Sequence, residues 1–419
     1  MERTLIENLN EHIGKSVLLK GFVQTTRNVS KNLTFIQLRE RSGVTQIVVK
    51  SKLSLNIESV IEVKGKVVLS PQSKFNGIEV LSEEINIISE GMNELPITIN
   101  KKEEIPFSTL VNYQALTLRL PFRRFIFKMQ SEFLKYYREY MNLYGFTEIN
   151  STKLVSSGAE GGGSMFEVDY YGEKVYLSQS PQLYKQMMVG VYERVFEVGK
   201  VYRAEGSNSN RHLSEFTGLE VEMGFINSYK DIVEMEERIF NYIFANIESN
   251  HSEELKSFGI ELRVPGNIPK IPYKEAIEIV GGNYENGLTN ENEMELYKYV
   301  KKEFGSDFVF VMGYPSSKRP FYTMQSEKEE GNTESFELIY KGIEITSGSQ
   351  RIHNYSSLLE RMEKLNVNPS NFEEYLLSFK TGMPPHGGFG IGLERVIKQM
   401  LNLQNVEEAS LIPRTKSRF

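Results

Sequence analysis

Between residues 15 and about 90 the chain alternates apolar and polar positions through five short β-rich runs. They are SVLLKGFVQTT, LTFIQLRE, TQIVVK, SVIEVKGKVVLS and IEVLSEEINIIS, parted by the polar turns NVSKN, RSG and KFNG. A period of two gives each strand one face to bury, and five strands at this spacing predict a small closed barrel of the OB-fold kind over residues 1–90. GMNELPITINKKEEIP (91–106) carries proline and charge without periodicity, so 91–120 reads as a linker. The pattern then changes period. RFIFKMQSEFLKYYREYMNLYG (124–145) has apolar and aromatic residues at helical spacing and closes on Gly145, predicting a long amphipathic helix.

Beyond it, strand-like runs (KVYLS, RVFEVGKVYRAE, FTGLEVEMGF, FVFVMGYP, SFELIYKGIEITSGSQRIH) are interrupted by helical patterns near 182–192, 229–248 and 356–366. Strands and helices without regular βαβ alternation predict an α+β domain over 121–419, built on an antiparallel sheet flanked by helices. The charge-rich stretch at about 249–320 reads as a small insertion.

Composition narrows the class. With 419 residues there is room for two domains, and 40% hydrophobic with 25% charged residues is an ordinary globular balance. No apolar run is long enough to span a bilayer, and MERTLIENLNEHIG is too acidic for a targeting signal. The absence of cysteine excludes disulfides and thiolate metal sites, which makes a cytoplasmic enzyme the expectation. A net charge of −6 argues against a generally basic nucleic-acid coat, not against a local basic groove.

Four stretches carry candidate chemistry. YRAEGSNSNRHLSEFTGLEVEM (202–223) reads as two strands joined by a polar loop, with Arg203 and Glu205 on one arm and Arg211 and His212 closing the loop. Phe216, Glu220 and Glu222 share a face of the returning arm. Guanidinium forks match phosphate oxygens, and a ring such as Phe216 can stack a purine; taken alone, the same hairpin is also a salt-bridged sheet surface. In 335–353, Glu337 and Glu344 are hard oxygen ligands of the kind Mg²⁺ takes when it also holds nucleotide phosphates, and Ser347 and Arg351 follow. PPHGGFGIGLERV (384–396) is a Gly-rich turn opening a helix with Arg395 in its first turn, a place from which an arginine reaches a phosphate. YLSQSPQLYKQMM (176–188) sets Ser180, Gln182 and Lys185 at a strand end and the start of a helix.

In this order the segments resemble the class II aminoacyl-tRNA synthetases, in particular the aspartate/asparagine subgroup. FRRFIFKMQSEFLKYYREYMNLYGFTEINSTKL is similar to that class's first motif, VFEVGKVYRAEGSNSNRHLSEFTGLEVEM to its second and GGFGIGLERV to its third. SGSQRIH and PPHGG resemble the archaeal/eukaryotic type that acts on aspartate. The resemblance implies ATP and Mg²⁺ as cofactors, L-aspartate and tRNA-Asp as substrates, with tRNA-Asn open as a second acceptor, and a homodimer. It implies Arg203 on the ATP α-phosphate, Arg395 on the γ-phosphate, and Phe216 with Arg395 about the adenine. Glu205, Arg211, His212, Leu213 and Gly392 would complete the ATP site, and Glu337, Glu344 and Ser347 the metal site. Lys185 and Arg351 would meet the side-chain carboxylate, and Glu160, Ser180, Gln182, Glu220, Ser347 and His386 the rest of the amino acid. Phe35, Gln46 and Glu79 in the barrel match positions that stack on and hydrogen-bond an anticodon.

The chain departs from this pattern at named places. Thr152 stands for the first motif's proline, Ala159 for a serine in the mobile loop, and Glu337 for an aspartate. Glu220 also replaces an aspartate and is more like asparaginyl enzymes, while Gln24 matches neither residue expected for strict or relaxed anticodon choice. Lys185 and QRIH favour aspartate, because a buried ammonium facing a neutral amide lacks a charge partner. The asparaginyl reading and a paralogue outside translation stay open alternatives.

Overall fold

The computed structural model describes residues 1–97, 99, 105–156, 165–204, 206 and 209–419. The chain divides into two compact units, Met1–Ile105 and Pro106–Phe419.

The first unit is a closed five-stranded barrel of β1 (Ser16–Ser30), β2 (Leu33–Arg39), β3 (Val44–Val49), β4 (Val60–Leu69) and β5 (Ile78–Ser89), in the order β1-β2-β3-β5-β4. Only the β3–β5 pair is parallel. Alternation works as expected: Val17, Leu19, Ile36, Leu38, Ile47, Ile61, Val63 and Val80 fill the interior. The five strand-like runs fall on these five strands, and the barrel is an OB-fold.

In the second unit, α1 (Phe107–Asn112) and α2 (Gln114–Thr117) precede α3 (Pro121–Leu143). The end of the stretch read as a linker is therefore helical. Helix α3 starts with Pro121 in its first turn, where a missing N–H costs nothing, and ends just before Gly145 at φ +74°. Phe125, Met129, Phe133, Tyr136, Tyr137 and Tyr140 form its buried stripe. Next come β6 (Thr147–Glu148), β7 (Leu154–Val155), β8 (Glu167–Tyr170), β9 (Glu173–Leu177), α4 (Gln182–Tyr192), β10 (Arg194–Tyr202), β11 (Glu215–Gly224) and α5 (Tyr229–Ser257). A capping box of Ser228 and Asp231 opens α5, which continues past the predicted end at 248. The remaining elements are β12 (Lys270–Pro272), α6 (Tyr273–Val280), α7 (Asn290–Phe304), β13 (Phe308–Met312), β14 (Ser335–Tyr340), β15 (Ile343–Arg351), α8 (Tyr355–Lys364), α9 (Glu373–Lys380), β16 (His386–Gly392) and α10 (Leu393–Met400).

Eight strands form the main sheet in the order β12-β13-β14-β15-β16-β11-β10-β6. The predicted antiparallel sheet holds through its centre, but both end pairs, β12–β13 and β6–β10, are parallel. Two of its strands, β12 and β13, come from the stretch read as an insertion, so 249–320 is not wholly external to the fold. Helices α3 and α5 meet the sheet through a shared aromatic core, in which Phe308 and Tyr340 stack at 4.0 Å and Phe240 and Phe244 pack against Phe308. Each such ring removes apolar area worth about 2–3 kcal/mol from water. The sheet is thus a rigid platform for the side chains of its opposite face.

Candidate active site

Pairing across the sheet sets the site. Glu337 of β14 lies opposite Ser347 of β15, Ser347 opposite Gly390 of β16, and Gly390 opposite Glu220 of β11. One row of the sheet therefore joins three sequence segments far apart in the chain. Gly390 lets Glu220 lie close over the strand: a Cβ there would be 2.8 Å from both of its carboxylate oxygens, so the side chain would have to shift.

Over these strands opens a cavity of about 810 Å³, within the size range of small-molecule sites. Its walls hold Ser180, Gln182, Arg203, Arg211, His212, Leu213, Phe216 and Glu220. Glu344, Ser347, Arg351, Gly392 and Arg395 complete the predicted residues that it gathers. Lys185, Glu337 and His386 do not line it. Glu160, Ala159 and Glu205 lie outside the described residues.

At one end the β10–β11 hairpin supplies cations. The Arg203 guanidinium lies 5.5 Å from the Phe216 ring centroid, just past the end of β10. His212 Nδ1 is 2.6 Å from Ser209 Oγ. Arg395 ties the hairpin loop to β15: Nε donates to the Arg211 carbonyl at 3.2 Å and Nη1 to the Glu344 carbonyl at 2.9 Å. Glu394, beside it, is buried and accepts from the Thr217 amide and hydroxyl, fixing α10 to β11.

The carboxylates differ in availability. Glu344 accepts from Ser347 Oγ at 2.9 Å and from Arg395 Nη1 at 3.4 Å, and its side chain is 30% exposed at the cavity wall. Glu337 is instead occupied by the protein: Tyr314 OH donates to one oxygen at 2.6 Å and Arg319 Nη2 to the other at 3.0 Å. Burial and the charge of Glu344 push its carboxyl up to about 7 against the pull of Arg319. Arg319 itself lies 4.1 Å from the Tyr314 ring centroid and lines the cavity. Sequence reading missed both partners, which stand outside every motif.

At the other end two cations and two carboxylates are packed together. Arg351 donates from Nε to Glu222 Oε1 at 2.9 Å, from Nη2 to Gln182 Oε1 at 3.3 Å and from Nη1 to Ser349 Oγ at 2.6 Å. The Gln182 amide nitrogen is buried without a hydrogen-bond partner among the described residues. Lys185 is 1% exposed and donates to Glu220 at 2.8 Å and to the carbonyls of Phe389 and Val221 at 3.0 and 3.3 Å. Those three contacts take up its three N–H donors. Glu222, on the hairpin face with Glu220, is the carboxylate that Arg351 Nε meets. It is fully buried, and although burial alone would raise its carboxyl, Arg351 and Lys185 hold it below the usual range. His386, expected beside the amino acid, is wholly buried, its Nδ1 2.9 Å from the Pro384 carbonyl. Burial lowers its imidazole to about 4, so the ring is neutral.

In the barrel, Phe35, Gln46 and Glu79 each sit between buried neighbours and so face outward. Gln46 Nε2 donates to Glu79 Oε1 at 2.6 Å. Gln24 occupies a bulge in β1, its amide oxygen buried and without a hydrogen-bond partner among the described residues. Thr152 is exposed and donates to the Leu154 carbonyl.

Among the described residues no group of three or more His, Cys, Asp or Glu side chains is gathered to hold a metal, and no helix is long and apolar enough to cross a membrane.

Comparison with known proteins bears on this geometry. Residues 107–416 match the family "tRNA synthetases class II (D, K and N)", and residues 17–88 match "OB-fold nucleic acid binding domain". The chain is similar to the aspartate–tRNA(Asp/Asn) ligase of Thermus thermophilus, with 41% identity covering 100% of this chain and 99% of that one. It is 36% identical to the aspartate–tRNA(Asp) ligase of Pyrococcus abyssi, covering 99% and 98% of the two chains. Among solved structures, asparaginyl-tRNA synthetase from Pyrococcus horikoshii complexed with asparaginyl-adenylate superposes with a TM-score of 0.93 at 29% identity, covering 100% and 99%.

Proposed function

The chain belongs to the class II tRNA synthetases of the D, K and N group, and we propose that it activates L-aspartate with ATP and transfers it to the 3′ end of tRNA-Asp. Acceptance of tRNA-Asn as well is in keeping with relatives named for both tRNAs. The observation that carries the choice of amino acid is Arg351, a guanidinium in the cavity wall, with Lys185 buried in the same charge cluster. A carboxylate side chain is the natural counterpart of such a site. One feature favours asparagine instead: Glu220 already neutralises Lys185.

In this reading the α-carboxylate of aspartate attacks the α-phosphorus of ATP, a new C–O–P linkage forms, and the bond to the bridging oxygen breaks as pyrophosphate leaves. No enzyme nucleophile is required. Arg203 and Arg395 balance the charge spread over the phosphoryl oxygens, and Phe216 holds the adenine. Arg211, His212, Leu213 and Gly392 line the remainder of the ATP site, with Ser180, Gln182 and Glu220 around the amino acid. Mg²⁺ takes one or two carboxylates and completes its shell with water and phosphate oxygens. Glu344, open at the wall and steadied by Ser347, fits that need; Glu337 would join it by exchanging contacts with Tyr314 and Arg319. The cation would supply charge neutralisation of the triphosphate.

We assign anticodon reading to the barrel, through Phe35, Gln46 and Glu79, and place the enzyme in the cytoplasm as a homodimer. The direct test is charging of tRNA-Asp and tRNA-Asn transcripts with labelled aspartate and asparagine. Aspartate on tRNA-Asp is expected; asparagine on either tRNA with no aspartate would overturn the assignment.

A further inference from the structure

Helix α7 lies outside all the segments that point to the ATP site, yet it holds one of that site's arginines. Arg211 Nη1 donates to Glu293 Oε2 at 2.7 Å and to Asn290 Oδ1 at 2.6 Å, and Nη2 donates to the Gly342 carbonyl at 2.9 Å. The same Glu293 oxygen accepts the backbone N–H of Glu344 at 3.1 Å. One carboxylate oxygen thus bridges the loop arginine and the strand that bears the exposed carboxylate. The mount is firm. A capping box of Thr289 and Asn292 opens α7, and Met294 packs so closely on the β14–β15 turn that a Cβ at Gly342 would meet it at 2.8 Å.

We propose that Glu293 is a positioning residue of the ATP site, which fixes the Arg211 guanidinium so that its remaining donors are already set toward the cavity. The proposal rests on reading Arg211 as a phosphate ligand. A guanidinium has five N–H donors, of which three are used here. Nε–H and one Nη2–H remain, and Arg211 lines the cavity. Without Glu293 the guanidinium keeps only the neutral acceptors of Asn290 and Gly342, and part of its ordering would fall on ATP binding. Charge also matters: paired, Arg211 and Glu293 present donors to a polyanion without a bare carboxylate beside it.

The test measures the ATP dissociation constant by calorimetry, and KM and kcat for both substrates in aspartate-dependent pyrophosphate exchange, for Glu293→Ala, Glu293→Gln, Arg211→Ala and the Arg211→Ala/Glu293→Ala double variant. Glu293→Ala should weaken ATP binding by about tenfold, the scale of ordering one long side chain. KM for aspartate should stay near the wild-type value. Glu293→Gln, which keeps an acceptor oxygen, should retain most of the affinity. In the Arg211→Ala background, Glu293→Ala should have no further effect on ATP, because the residue acts through the arginine. Equal losses for ATP and aspartate, an undiminished loss in the Arg211→Ala background, or tighter ATP binding in Glu293→Ala would each overturn the proposal. A wild-type protein that binds ATP but exchanges no pyrophosphate would sink the functional reading, while the ATP dissociation constants would still decide this one. Absence of ATP binding would end both.

Discussion

The Lys185 ammonium lies 2.8 Å from a carboxylate oxygen of Glu220 and 3.4 Å from one of Glu222. A residue type that points to an anionic substrate is therefore neutralised within the fold. With Arg351 on Glu222, the cluster holds two cations and two carboxylates, and its net charge is zero.

Lys185→Met removes a cation from two buried carboxylates and leaves Arg351 to serve Glu222 alone. Breaking a buried pair from one side costs about 3–5 kcal/mol. The variant should melt well below the wild type, and aspartate-dependent exchange should fall about 100-fold, a loss of roughly 2.7 kcal/mol. Near-normal melting and exchange would contradict the arrangement.

Glu220→Gln leaves the ammonium of Lys185 with one fewer anion and keeps the side chain's shape. The ratio of kcat/KM for aspartate to that for asparagine should rise about tenfold, equivalent to roughly 1.4 kcal/mol. An unchanged ratio would mean that Glu220 does not bear on the side-chain charge.

Glu236 on α5 is fully buried, with no cation beside it among the described residues and the Thr346 hydroxyl as its polar neighbour. Burial pushes its carboxyl up to about 8 from a usual 4.5. The unfolded chain then binds fewer protons than the folded one between these values, so this group costs stability increasingly as pH rises from 4.5 to 8. Glu236→Gln removes the cost. The gain in melting temperature over wild type should be larger at pH 8 than at pH 5, and a gain independent of pH would refute it.

Phe35→Ala should act on tRNA alone. Loss of one base-stacking ring costs about 1–3 kcal/mol, so KM for tRNA in charging should rise about tenfold or more, while exchange without tRNA is unaltered. A variant with unchanged tRNA KM would remove Phe35 from the anticodon surface.

Much of this was legible in the chain because period and spacing are local. The five barrel strands, α3, and the β10–β11 hairpin each announce themselves by alternation or helical repeat. The row from Glu337 to Glu220 could be anticipated only as a resemblance, since sheet register joins residues far apart in sequence. The parallel end strands were hidden, Thr147–Glu148 and Lys270–Pro272 being too short to show a period. Glu293 was hidden for another reason: on a charged helix it looks like a solvated face, and only the fold brings Arg211 to it. Lys185 shows the limit of reasoning from residue type, because its burial and its three protein acceptors are tertiary facts.

In this reading the cavity activates aspartate. The measurement closest to it is ATP–pyrophosphate exchange by the full-length protein, run with aspartate and with asparagine as the only amino acid. Exchange with aspartate and little or none with asparagine is the predicted result; exchange with asparagine alone, or with neither, would contradict it.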